Sequence, residues 1–301
     1  MGLIQSRTKW VLFLSSSEPD PEDRHIHDLV HGLMCLESAG ISPNDIFIYV
    51  DGANRQNIRN LFSIATINQY VIASTDTFFL DLRDNRHENL VMFVTGHGSE
   101  AGIDAVVPIT PYMLMNALKA APGLDKVVVY LGQCYAGVFN YVNAGRGRGR
   151  DQNGPDVILI GATNLHESLS SSTQEQFPNG NLHWVANLFL LHVFRWISAP
   201  HDIDGDGLNT IMDSYKYAGI GSNKHNKLSK TNSFGQMVDT HIMHKQAVQV
   251  ASVRTGVPQV DSQNQLRLMA VRSQYYNLLS VNYVHQECWI LNSYPAQQIE
   301  I

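Results

Sequence analysis

The chain has 301 residues, 44% of them hydrophobic and 16% charged, with 21 Lys and Arg set against 27 Asp and Glu. A net charge of −6 leaves no overall basic field to draw nucleic acid or an anionic membrane surface. No run reaches the roughly 18 uninterrupted apolar residues of a membrane span; the longest candidate, 184–197, is broken by His192 and Arg195.

Lys9 precedes only the short apolar run 10–14, too short for the core of a secretory leader. The three cysteines, Cys35, Cys134 and Cys288, are odd in number, widely spaced and without a Cys-x-x-Cys pair, which argues against a disulfide scaffold or a zinc site. Cytoplasmic residence is the expectation that follows. Cys35 lies in an apolar helical pattern and reads as a buried, inert thiol.

Along the chain, strand-like runs alternate with helical patterns. Residues 10–15 read as a strand that runs into a Ser/Pro/Asp loop. Ile26, Leu29, Val30, Leu33 and Leu36 then follow at helical spacing as far as Gly40. Residues 45–50 form a second strand closed by Asp51-Gly52, and 54–65 carry a helical pattern. Strands are expected at 90–95, 126–131 and 156–161, with a helix at 111–121 and another from about 182 to 199. Such alternation predicts an α/β fold, a mainly parallel sheet with helices on both faces. From 201 onward the texture changes to an Asp-rich loop, a helical stretch to about 218, a polar loop at 221–233 and mixed segments. The expected division is a catalytic domain over 1–200 and a C-terminal subdomain over 201–301.

Two of these strands end in chemistry. Residues 93–99 run into Gly96-His97-Gly98, and 129–137 run into Gly132-Gln133-Cys134. Ligands of parallel sheets bind beyond the carboxyl ends of the strands, where both residues stand. A thiol and an imidazole there are the kit for nucleophilic acyl transfer, and flanking glycines let backbone N–H groups approach a ligand.

Further matches occur in order: Arg24-His25 after the first strand, Gly40-Ile41 and Asn44-Asp45-Ile46 leading into the second, Thr95-Gly96-His97-Gly98-Ser99, Cys134 with small residues after it, and Ala162-Thr163 with Glu167-Ser168. Together, over residues 10–170, they resemble the legumain-like branch of the caspase-type cysteine peptidases. The resemblance implies a caspase-like three-layer sandwich and an endopeptidase working through a thioester on Cys134, with His97 as general acid and base. It implies oxyanion donors at the backbone N–H groups of Gly98 and Cys134, and a substrate pocket lined by Arg24, His25, Gly132, Glu167 and Ser168. The partner implied is a protein or peptide substrate, with no cofactor required. The family places an acidic residue two positions before the cysteine, where this chain has Gly132, so preference before the cut stays open between Asn or Asp and basic residues. No third catalytic residue stands out. Two other readings remain: a transpeptidase or transamidase on the same scaffold, and a non-catalytic caspase-like binding module.

Arg146, Arg148 and Arg150 alternate with glycine in 145–151. The stretch reads either as a solvated basic loop or as a processing loop, cut by an activating protease or by the enzyme itself, which would make the protein a zymogen. Asp202, Asp204 and Asp206 with Gly207 match the first half of a calcium loop. Asp213 holds the twelfth position, where glutamate is usual, and the alternative is an Asp/Gly turn. His27 with His31, and His241 with His244, read as core or surface residues, and the lysines of 223–230 lack the aromatic interleaving of a nucleic-acid site.

Overall fold

The computed structural model describes residues 2–146, 154–283 and 287–301. In chain order its elements are β1 (Thr8–Leu14), α1 (Asp23–Ser38), β2 (Ile46–Val50), α2 (Arg55–Phe62), β3 (Ile72–Ala73), α3 (Thr75–Asp81), β4 (Asn89–Thr95), β5 (Gly98–Ser99) and β6 (Gly102–Ile103). They continue with α4 (Pro111–Ala120), β7 (Lys126–Leu131), β8 (Asp156–Gly161), β9 (Ser170–Phe177), β10 (Gly180–Asn187), α5 (Leu188–Ser198), α6 (Ile211–Ser252), α7 (Pro258–Tyr283), β11 (Trp289–Leu291) and α8 (Ser293–Ala296).

Seven strands form one sheet in the order β11-β8-β7-β4-β1-β2-β3. All neighbours are parallel except β11, which runs antiparallel on β8. The central strands are continuous apolar runs because both faces are covered. Trp10, Leu12 and Leu14 face one layer with α1 and α5, while Val11 and Phe13 face the other with α3 and α4. Rings from three neighbouring strands stack on the first face: Trp10 on Phe93 at 6.4 Å and Phe93 on Tyr130 at 5.2 Å between centroids. The architecture is therefore the α/β sandwich that the strand–helix alternation predicts.

Two expectations need correction, and one strand is new. Residues 182–187 are strand, not helix: β9 and β10 form an antiparallel hairpin. In β10, Trp184 and Ala186 are buried while Val185 points outward, the period-2 alternation of a strand. The helix begins only after Asn187, whose Oδ1 accepts from the Leu190 N–H at 3.0 Å and caps it. The polar stretch 221–233 is not a loop but part of the 42-residue α6; it contains no proline, and polarity alone does not stop a helix. Lastly, β11 near the chain's end adds an edge strand to the sheet.

Contacts divide the chain into Met1–Ser222 with Gln286–Ile301 as one unit and Asn223–His285 as another. The division falls inside α6, and the last segment, with β11, belongs to the first unit. Within the second unit α6 meets α7: His241 Nδ1 lies 2.8 Å from the Tyr275 hydroxyl, and His244 stacks on the Tyr275 ring at 5.0 Å. Among the described residues, no helix is long and apolar enough to cross a membrane.

Candidate active site

Strand register places the two candidate catalytic residues. Val94 of β4 pairs with Leu131 of β7, and His97 and Cys134 each stand three residues beyond that pair. The Gly132 N–H donates to the Val94 carbonyl at 2.8 Å, continuing the pairing past the strand ends. Beyond this point Gly98 and Cys134 abut. A Cβ on Gly98 would lie 2.3 Å from the Cys134 carbonyl oxygen, so only glycine allows this approach. Tyr135, immediately after the cysteine, has φ 54°, a left-handed conformation that costs a non-glycine residue energy and turns the chain sharply into the next segment.

The sulfur is held from β8's side of the sheet. The Ser168 N–H donates to Cys134 Sγ at 3.3 Å, and the Tyr135 N–H donates to the His166 carbonyl at 2.8 Å. Asn187 joins this segment to its neighbours: its Nδ2 donates to the Gly132 carbonyl at 2.6 Å and to Ser168 Oγ at 3.3 Å. Ser168 is thus next to the thiol. Glu167 is exposed, with its carboxylate among the charges near the Tyr135 hydroxyl, which is pushed above its ordinary value mainly by Glu167.

A residue that the motifs did not single out completes the imidazole's surroundings. His97 Nε2 lies 2.8 Å from Glu22 Oε1, and the other Glu22 oxygen accepts from Arg24 Nε at 2.5 Å. The Arg24 guanidinium, the largest influence, holds the Glu22 carboxyl down at about 2, with the His97 hydrogen bond acting in the same direction. Glu22 stands at the start of α1, in a loop pinned at several points. Ser15 Oγ donates to the Asp104 carbonyl at 2.6 Å, Ser17 donates through its N–H and hydroxyl to Asp104 Oδ2, and the Ala53 N–H donates to the Pro19 carbonyl at 2.8 Å.

His25 lies edge-on to His97, with centroids 4.9 Å apart, and is only 5% exposed. Behind it the buried Asp28 ties α1 to the sheet. Asp28 Oδ1 accepts from Trp184 Nε1 and the Asn187 N–H, both at 3.0 Å, and its Oδ2 accepts from Thr95 Oγ1 at 2.9 Å. Arg24, His25 and Ser168 are therefore gathered around the two strand ends, whereas Gly132 is buried with its α-carbon facing Leu190 rather than open space.

None of the three cysteines is in a disulfide. Burial pushes the Cys35 and Cys288 thiols up to about 12, which leaves both unreactive near neutral pH.

The other predicted sites fall elsewhere. Arg146 is bound to Asp156, Nε to Oδ2 at 2.9 Å, and to the carboxylate of Asp125; Arg148 and Arg150 lie outside the described residues. Asp202, Asp204 and Asp206 each bring one carboxylate oxygen within 4.8 Å of the others. Asp202 accepts from the Gly205 and Gly207 N–H groups, and Asp204 pairs with Lys216 at 2.5 Å. Asp213 is not in that group. It caps α6, accepting from the Ile203 N–H at 2.8 Å and from the Thr210 N–H and hydroxyl at 2.9 and 2.8 Å. Burial works against its ionised form, but these donors outweigh it and the carboxyl sits below its usual value. Asp213→Ala is expected to cost about 1–3 kcal/mol, read as a lower urea midpoint. Because the folded value is the depressed one, the contribution is complete above the ordinary carboxylate range. It should fade as pH falls through the folded value.

No family model matches the sequence. No curated protein matches it either. Among solved structures, the chain is similar to caspase-1 from Spodoptera frugiperda, with 11% identity and a TM-score of 0.38 over 72% of this chain and 77% of that one.

Proposed function

We propose that this protein is a cysteine peptidase of the caspase and legumain type, with Cys134 as nucleophile and His97 as general acid and base. The observation that carries the reading is the common register: a thiol and an imidazole three residues beyond one paired row of adjacent parallel strands. In this mechanism the Cys134 S–H proton passes to His97, Sγ attacks the substrate carbonyl carbon, an S–C bond forms and the carbonyl π electrons move onto the oxygen. The oxyanion is met by backbone N–H groups of Gly98 and Cys134. As the C–N bond breaks, His97 gives a proton to the leaving amine. Water then attacks the thioester, His97 takes its proton, and the S–C bond breaks to restore the thiol. Glu22 orients the imidazole and balances its charge while it carries the extra proton, and Arg24 keeps Glu22 ionised.

The test is covalent labelling with a peptidyl acyloxymethyl ketone, read by intact mass. One label per chain is expected in the wild type and in Cys35→Ala and Cys288→Ala, and none in Cys134→Ala. Absence of label in the wild type, or label retained by Cys134→Ala, would overturn the assignment. Cleavage within 145–151 as an activating step belongs to the same proposal, with Arg146, Arg148 and Arg150 as the basic candidates; of these Arg146 is engaged by two carboxylates.

A further inference from the structure

We infer that Glu22, His25 and His97 form a site for a divalent transition metal such as zinc, and that the ion holds the enzyme inactive while bound. The second half rests on the peptidase reading; the first does not. One donor atom from each of the three side chains lies within 4.8 Å of the other two. Two imidazole nitrogens and a carboxylate oxygen make a set suited to zinc, whereas calcium and magnesium favour oxygen donors throughout.

His25 supplies an independent sign that something is bound here. It is 5% exposed, yet neither ring nitrogen has a hydrogen-bond partner among the described residues. Buried polar atoms are ordinarily satisfied, and an unpaired imidazole aimed at a second imidazole and a carboxylate is what a metal ligand looks like without its ion. Nδ1 of His25 lies 3.9 Å from Asp28 Oδ2, leaving Nε2 as the nitrogen for the metal. Asp28, itself fixed by Trp184, Asn187 and Thr95, would become the outer carboxylate that orients the imidazole once metal on Nε2 draws the Nδ1–H within its reach. Arg24 does the same for Glu22 through the oxygen that His97 does not use.

Glu22 Oε1 and His97 Nε2 are now 2.8 Å apart. On a tetrahedral ion with bonds of 2.0–2.1 Å they would separate to about 3.3 Å, a small turn for a half-exposed glutamate. Three protein ligands leave a fourth position for water or substrate. Metal on Nε2 displaces the Glu22 hydrogen bond and takes the lone pair of the ring that must pass protons, so acyl transfer stops until the ion leaves.

The decisive experiment is a zinc titration of the full chain carrying Cys134→Ala, stripped with a chelator, followed by calorimetry. That background removes the thiol as a ligand and needs no catalysis, so its outcome is independent of whether the chain cleaves peptides. One ion per chain should bind with micromolar or tighter affinity. Adding Glu22→Gln should weaken it at least about 10-fold, and adding His25→Ala should weaken it further. Glu22 is half exposed, so its variant reports even if loss of the buried His25 unfolds the chain. No saturable binding, or equal binding by the Glu22→Gln form, would overturn the site. In the wild type one equivalent of zinc should abolish hydrolysis, and EDTA should restore it. Hydrolysis unchanged with zinc bound would overturn the inhibitory role.

Discussion

His97→Ala is expected to lower kcat for peptide hydrolysis by about 10^4-fold with the fold intact, and Cys134→Ala by about 10^6-fold, to the background set by binding and oxyanion stabilisation. The two losses should not add in the double variant, because imidazole and thiol serve the same bond-making step. Glu22→Gln occupies an intermediate place, at about 10–100-fold. It removes the charge that faces the imidazole Nε2 at 2.8 Å, but the side chain is half exposed and water screens part of the effect. Arg24 holds the Glu22 carboxyl at about 2, so Glu22 stays ionised wherever an imidazole titrates. A pH–rate profile between about pH 5 and 8 should therefore show no step from Glu22. Steady-state kinetics on a fluorogenic peptide, with circular dichroism to confirm folding, checks all four variants.

A second large effect is expected at Gly132. A Cβ there would sit 2.6 Å from Leu190 Cδ1, 2.8 Å from Leu190 Cγ and 2.9 Å from the Val94 carbonyl oxygen. Gly132→Ala should cost about 1–3 kcal/mol through overpacking. Gly132→Asp adds a buried carboxylate with an apolar side chain and a carbonyl oxygen as its nearest neighbours, neither of which can donate a hydrogen bond. That penalty of several kcal/mol is a large share of a typical domain's stability of about 5–15 kcal/mol, and the variant should fail to accumulate as folded protein. Urea unfolding of Gly132→Ala with and without Leu190→Ala provides the check, since trimming Leu190 should relieve the alanine and give a favourable coupling. The packing also bears on specificity. The resemblance to legumain-like enzymes puts an acidic residue at this position, and here the space belongs to α5.

The sheet and the two strand-end residues were legible in the sequence for a simple reason. β1, β2, β4, β7 and β8 are apolar runs bounded by turn residues, and histidine and cysteine flanked by glycine at such boundaries build no strand. What was not legible depends on partners far apart in the chain. Glu22 reads as an ordinary acidic residue before a helix until the fold brings it to His97. Asp28 lies within an amphipathic helix, and nothing local shows that Trp184, Asn187 and Thr95 converge on it. The apolar run 182–197 hides a change of period at Asn187, where alternation gives way to helical spacing, and a run so rich in large apolar side chains satisfies both templates. Likewise β11 is three residues long, recognisable as a strand only because β8 needed a neighbour.

That short strand has a consequence for self-association. An open rim presents a row of unpaired amide and carbonyl groups to which a second chain can add. Here one rim is occupied antiparallel by the protein's own Trp289–Leu291, and the other ends in a strand of only two residues, Ile72–Ala73. Among the described residues, the outermost strand on each side is thus only two or three residues long, which shortens the row of free amide and carbonyl groups that it presents.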